Sequence, residues 1–140
     1  MAFEYRSGMR MPARFGVDSG TAAITVGMAL TITDASTDGY VKDCDAAEAV
    51  LGIAMEAVAS PTTSGDATVL VDISTESVYE CPADTGTLLI TEVYNTADVG
   101  SDGISVNRDA SGIDDLFILT VDTVTNTALV QLRRTSVTGA

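Results

Sequence analysis

Residues 23–33 read "AITVGMALTIT", and their alternation decides the fold class. Ile24, Val26, Met28, Leu30 and Ile32 fall on one side of an extended chain, with Thr25, Gly27, Ala29, Thr31 and Thr33 on the other. Successive side chains of a strand point to opposite faces, so this period of two predicts a half-buried β-strand. Working outward, "VLGIAMEAVA" (50–59) reads as a second strand, in which Gly52 marks a bulge or a close backbone contact. "ATVLVDI" (67–73) alternates Val69, Val71 and Ile73, and "ESVYE" (76–80) continues extended. "TLLITEVY" (87–94) and "ISVNR" (104–108) read as strands flanking a polar loop, "NTADVGSDG" (95–103). The closing pair is "LFILTVD" (116–122) and "TALVQLRR" (127–134), joined by "TVTN".

Turn chemistry separates these runs. "DASTDG" (34–39), "SPTTSGD" (60–66), "CPADTG" (81–86) and "DASGIDD" (109–115) are rich in Asp, Ser, Gly and Pro. Only "DCDAAEAV" (43–50) has helical signals, with Asp45 as cap and Glu48 closing a capping box, enough for a turn or two. Six to nine short strands at close intervals, with at most one short helix, predict an all-β domain, a small barrel or sandwich. At 140 residues a single domain is expected.

Composition agrees. Apolar residues make up 46% of the chain but aromatics only 5%, and Trp is absent, so the core must be aliphatic. Thr is abundant and Lys42 is the sole lysine, a balance that favours pleated strands over helices. The net charge of −13 excludes nucleic acid and an anionic membrane as partners, since both require clustered Lys and Arg. The charge is also divided along the chain. Residues 1–16 carry Arg6, Arg10 and Arg14 against Glu4, a local +2, and the remainder carries −15. That split predicts a basic arm on an acidic body, able to dock on an acidic surface, including that of a neighbouring copy.

The chemistry of most enzymes is missing. With no His, the commonest general base and metal ligand are gone. No Gly-rich loop is shaped to cradle a nucleotide phosphate. Cys44 and Cys81 form neither a disulfide framework nor a zinc spacing and read as buried free thiols. Asp43 with Asp45, Asp98 with Asp102, and Asp114 with Asp115 lack EF-hand spacing and read as solvated turns. "VDSGT" (17–21) and "ADTGT" (83–87) place Asp18 and Asp84 in the triplets that aspartic proteases use. Those enzymes need two carboxylates at the ends of buried strands, sharing one proton. Here Gly16 precedes Val17 and Pro82 precedes Ala83, and the flanking sequences are not duplicated halves. Both triplets read as ordinary turns. No catalytic residue, cofactor, metal or small-molecule substrate is expected.

Residues 1–16 show neither helical nor alternating order, yet they hold Phe3, Tyr5, Met9, Met11 and Phe15. An apolar segment without a core of its own is expected to order against a partner, or else to pack on its own domain. Residues 1–20 are accordingly read as an extended N-terminal arm and 21–140 as the β domain.

From about residue 16 to residue 73 the chain resembles the capsid decoration (cement) proteins of tailed bacteriophages, of the β-tulip type. The resemblance is carried by a small-residue arm leading into "ITVGMALTI", a turn, "YVKDCDAAEAVLGIAMEAV", a Gly-containing loop and "ATVLVDI". It implies a non-enzymatic virion protein on the capsid exterior, synthesised in the host cytoplasm. It also implies a homotrimer that ties neighbouring major capsid protein subunits together. The anchors would lie on the arm: Phe3, Tyr5, Arg6, Arg10, Arg14 and Phe15. Aromatic and Arg side chains are the usual energetic anchors of interfaces. The alternatives are another virion subunit of similar build (tail tube, head completion or fibre base) and a non-viral β binding module.

Overall fold

The computed structural model describes residues 2–32, 39–44, 48–107 and 115–133, and over these the chain is all-β. The strands run β1 (Glu4–Ser7), β2 (Pro12–Gly16), β3 (Ala29–Ile32), β4 (Val41–Asp43), β5 (Gly52–Ala54) and β6 (Thr68–Asp72). They continue with β7 (Val78–Pro82), β8 (Thr96–Val99), β9 (Val106–Asn107), β10 (Leu116–Asp122) and β11 (Thr127–Leu132). Two antiparallel sheets result. One has six strands in the order β1-β7-β11-β10-β8-β9, the other five in the order β2-β6-β5-β3-β4. The N-terminal segment therefore supplies an edge strand to each sheet.

Aliphatic residues fill two clusters. The first joins Phe3, Ala29 and Ile53 to Tyr79, Cys81, Leu116, Ile118, Ala128 and Val130, and so lies between the sheets. The second contains Leu30, Ala54, Val69 and Val71. Leu30 follows Ala29 and Ala54 follows Ile53, so the second cluster occupies the other face of the five-stranded sheet. Phe15, Met28, Val58 and Ala67 pack against it. Around β3 and β5 that sheet is thus buried on both sides, which explains why every residue of β5 is buried.

Double burial also corrects the strand expected over 23–33. Among its described residues only Ala29–Ile32 is a strand, and Ala29, Leu30 and Thr31 are all buried. Ile24 makes an isolated bridge to Val58 and is buried, whereas Val26 on the same expected face is 61% exposed. Gly27 breaks the run at φ +85°, where a Cβ would stand 2.6 Å from the Phe3 carbonyl oxygen. Phe3 N–H donates to the Gly27 carbonyl at 3.0 Å, so the break is where the N-terminus docks. Gly52 is the close backbone contact its position predicts: a Cβ there would lie 2.4 Å from the Asp72 carbonyl oxygen.

The stretch 87–94 is not a strand. Leu88 is buried, Ile90–Glu92 forms a 3₁₀ turn, and Tyr94 has φ +67°. The partner position on β10 is taken instead by Thr96–Val99, within the stretch read as a polar loop; Leu116 pairs with Ala97 and Phe117 with Thr96. The segment 81–86 is only partly a turn, because Cys81 and Pro82 extend β7, with Pro82 opposite Thr127 at its last position. The hairpin of β10 and β11 forms where its sequence predicts, turning through Asn126 at φ +58°. The turn at 34–39 and the loop at 109–115 fall mainly outside the described residues, as does the core of the short helix expected over 43–50.

Candidate partner-binding surface at the N-terminal segment

The N-terminal segment is extended, and over residues 4–16 it pairs with strands of its own chain. β1 lies antiparallel to β7, with Glu4 opposite Glu80 and Tyr5 opposite Tyr79. Two glutamates facing each other would repel, and Arg6 sits between them, 3.1 Å from Glu4 Oε2 and 2.8 Å from Glu80 Oε1. β2 pairs with β6 over its whole length, from Pro12 opposite Asp72 to Gly16 opposite Thr68. Arg14 Nη1 reaches Glu56 Oε1 at 2.9 Å, and the same oxygen accepts the Leu70 N–H at 3.0 Å.

The expected anchors therefore separate into distinct roles. Phe3 is buried at 3% exposure and meets Tyr79 edge-on, ring centroids 6.4 Å apart, so its side chain belongs to the chain's own core. Phe15 is half-buried against the second cluster. Arg6 and Arg14 are in ion pairs with the body. Tyr5 also meets Tyr79 edge-on and remains partly exposed, and the Arg10 guanidinium lies over its ring, 3.7 Å from the centroid. Of the six, Tyr5 and Arg10 stand together at the surface.

Between β1 and β2 the chain turns through Gly8 at φ +94°, where a Cβ would overlap the Glu76 carbonyl. This turn exposes Met9 at 73% and Met11 at 59%. From beneath, it is fastened to Asp72, which is fully buried. Asp72 Oδ1 accepts the Met11 N–H at 2.9 Å and the Ser74 N–H at 3.1 Å. Asp72 Oδ2 accepts the Ser77 hydroxyl at 2.6 Å and the Tyr79 hydroxyl. Met9 O takes a hydrogen bond from the Ser74 hydroxyl and lies 3.3 Å from that of Ser77, and Met11 O takes one from Ile73 N–H at 3.0 Å. Arg10 Nε stands 4.0 Å from Asp72 Oδ2.

Burial alone would raise the Asp72 pKa, but hydrogen bonds from Ser77, Tyr79, Met11 and Ser74 outweigh it and hold the carboxyl below its ordinary value. The Tyr79 hydroxyl moves the other way, raised by burial and then by its bond to the Asp72 carboxylate. The network thus keeps a buried anion and a neutral phenol at neutral pH. Beside the turn, Phe3, Tyr5, Arg10, Val26, Ala54 and Tyr79 contribute to the lining of an open cleft of about 440 Å³.

Asp18 and Asp84 serve their own turns. Asp18 Oδ2 accepts the Gly20 N–H at 3.1 Å and its Oδ1 the Ser64 hydroxyl at 3.0 Å, while Asp84 Oδ1 accepts the Thr85 N–H at 2.7 Å. Among the described residues no group of His, Cys, Asp and Glu side chains is placed to hold a metal ion, and no helix is long and apolar enough to cross a membrane. In comparison with known protein families and with curated proteins, the chain matches none.

Sequence reasoning did not count Met9 and Met11 among the anchors, and did not single out Asp72, which positions the turn that exposes them. The signal for the first was present: two methionines flank an arginine one residue beyond Gly8. Nothing local marks Asp72, since its partners Met11 and Tyr79 are remote from it in sequence or on another strand.

Proposed function

We propose that this chain is a structural virion protein that binds the outer surface of a tailed-phage head, as a homotrimer, and cements neighbouring major capsid subunits without enzymatic activity. The resemblance that suggests it runs through 16–73, and those residues supply β3 to β6, four of the five strands of one sheet. The observation that carries the reading is the turn at 8–11. It presents two methionines and an arginine to solvent on a backbone pinned by a buried carboxylate. Methionine adapts to irregular apolar surfaces, and a fixed backbone reduces the ordering cost of binding. Such a turn serves adhesion rather than catalysis.

Quantitative mass spectrometry of purified particles from the source tests this, counting the chain against the major shell protein. A ratio comparable to the shell is expected. A handful of copies per particle would replace the cement role with a connector or tail role, and absence from particles would remove the virion reading altogether.

A further inference from the structure

The outer face of a sandwich sheet is ordinarily polar, and on the six-stranded sheet large apolar residues stand among polar ones such as Glu80 and Gln131. On β10 and β11 the residues alternating with buried Leu116, Ile118, Ala128 and Val130 include Phe117 and Leu129, both half-buried. Against β10 lies the 3₁₀ turn Ile90–Glu92, whose surroundings leave Leu89 49%, Ile90 68% and Tyr94 70% exposed.

This apolar knob is fastened on every side. Leu88, its first residue, is fully buried in the core between the sheets. Leu88 N–H donates to Asn126 Oδ1 at 2.7 Å, and Asn126 Nδ2 donates to the Gly86 carbonyl at 2.9 Å. Leu89 N–H donates to Glu92 Oε2 at 3.1 Å. Tyr94 N–H donates to Ile118 O at 2.7 Å, and Ile118 N–H to Asn95 O at 2.9 Å. The Tyr94 ring stacks on Phe117 with centroids 5.6 Å apart, although its backbone is held at φ +67°, a conformation that costs a non-glycine residue free energy. Hydrogen bonds and local strain together keep three large apolar side chains in water. Rigid aliphatic and aromatic anchors of this kind are what interfaces use.

Charge selects the occupant. Residues 43–107 contain twelve acidic side chains and no Lys or Arg, and the knob carries Glu92, with Asp122 at the end of β10. A second copy is a poor match, because among the described residues Arg6, Arg14 and Lys42 are each in an ion pair, Arg10 already lies over Tyr5, and Arg133 is engaged within its own chain. We infer that the knob at Leu89, Ile90 and Tyr94 docks into a basic-rimmed apolar cleft of a different protein. Resting on the reading above, that protein is the shell subunit. The knob then supplies a contact separate from the turn at 8–11, and a protein that ties two neighbours together needs two.

The test is a binding titration on heads purified from the source particles and stripped of this chain. It compares wild type, Leu89→Ser/Ile90→Ser, Tyr94→Gly and Met9→Ser/Met11→Ser. Tyr94→Gly relieves the strained backbone, so loss of binding there is not loss of fold, and thermal melting checks both knob variants. Each knob variant is expected to bind roughly 30-fold or more weakly, and wild-type binding to weaken with added salt. Knob variants that bind like wild type overturn the inference and leave the proposed function standing. Wild type that fails to bind stripped heads overturns both. Light scattering that shows the knob variants losing self-association, with head binding unchanged, assigns the knob to a second copy and overturns the inference as well.

Discussion

Removing the Asp72 carboxylate should unfasten the N-terminal segment. In Asp72→Ala the Met11 and Ser74 N–H groups lose their acceptor in a buried site, at about 1–3 kcal/mol each. The Ser77 and Tyr79 hydroxyls lose theirs too, but they rotate, and Ser77 already has Met9 O within 3.3 Å. The sum is on the order of 4 kcal/mol, which lowers the melting temperature of a domain this size by about 10–15 °C. Asp72→Asn keeps an oxygen for the two backbone donors and should cost only about 1–2 kcal/mol. Hydrogen exchange at the Met11 amide, compared with Ile118 in the central strand β10, separates local release from global unfolding. Met11 exchange should accelerate more than Ile118 exchange. A melting temperature within about 2 °C of wild type for the alanine variant, or equal acceleration at both amides, would refute the latch.

The same carboxylate sets an acid dependence. Its folded pKa is depressed below the ordinary carboxyl value, so the folded state releases this proton more readily than the unfolded chain does. The stabilisation is complete above the unfolded pKa and disappears as pH falls through the lower, folded one. Acid titrations of stability should therefore show a steeper decline below about pH 4 for wild type than for Asp72→Asn. Identical slopes would mean that other carboxylates account for the acid limb.

The packing sets further expected outcomes. Phe3→Ala should cost about 3–5 kcal/mol in chemical denaturation, and deleting residues 1–16 should destabilise the body rather than leave it intact, because the core loses Phe3 and each sheet an edge strand. Gly27→Ala should cost more than 1 kcal/mol by thermal melting, since its φ is +85° and the new Cβ meets the Phe3 carbonyl. Cys81, whose thiol is pushed up by burial and then by Glu80 and Asp102, should stay unreactive towards a thiol reagent at pH 8 until the protein unfolds, and Cys44, also buried, should behave alike.

What was legible in the chain depended on whether a strand has one wet face. β6 alternates cleanly at Val69 and Val71, and β10 with β11 do so around a four-residue turn, so sequence alone places them. At β3 and β5 both faces of the sheet are covered, and there the alternation at 24–32 is coincidence: Thr31 is buried beside Leu30, while Val26 is in water. The stretch 87–94 misleads for the converse reason. Its β-rich composition reflects side chains displayed to solvent from a 3₁₀ turn, and propensity cannot distinguish an exposed apolar surface from a core. The candidate surface was legible as a segment, from its charge and its aromatic residues, but not as a geometry. Asp72 acts on Met11 and Tyr79 across strands, and no pattern along the chain records that.

The charge division illustrates the same limit and sharpens the functional reading. A +2 segment on a −15 body invites the picture of a basic arm reaching for an acidic partner. In the folded chain Arg6 meets Glu4 and Glu80, Arg14 meets Glu56, and Arg10 lies near Asp72, so the complementarity operates within one molecule. Exposed pairs of this kind add little stability, about 0–1 kcal/mol each, but they fix where the segment lies. With Arg6, Arg10 and Arg14 engaged at home, exposed apolar groups are left to meet a partner, among them Met9 and Met11 on the turn, and Leu89, Ile90 and Tyr94 on the knob. Attachment should then depend on those five residues more than on the arginines. Substituting Arg6 and Arg14 with glutamine should alter head binding less than Met9→Ser/Met11→Ser does. The opposite ranking in a side-by-side titration would return the basic segment to the role its sequence suggests.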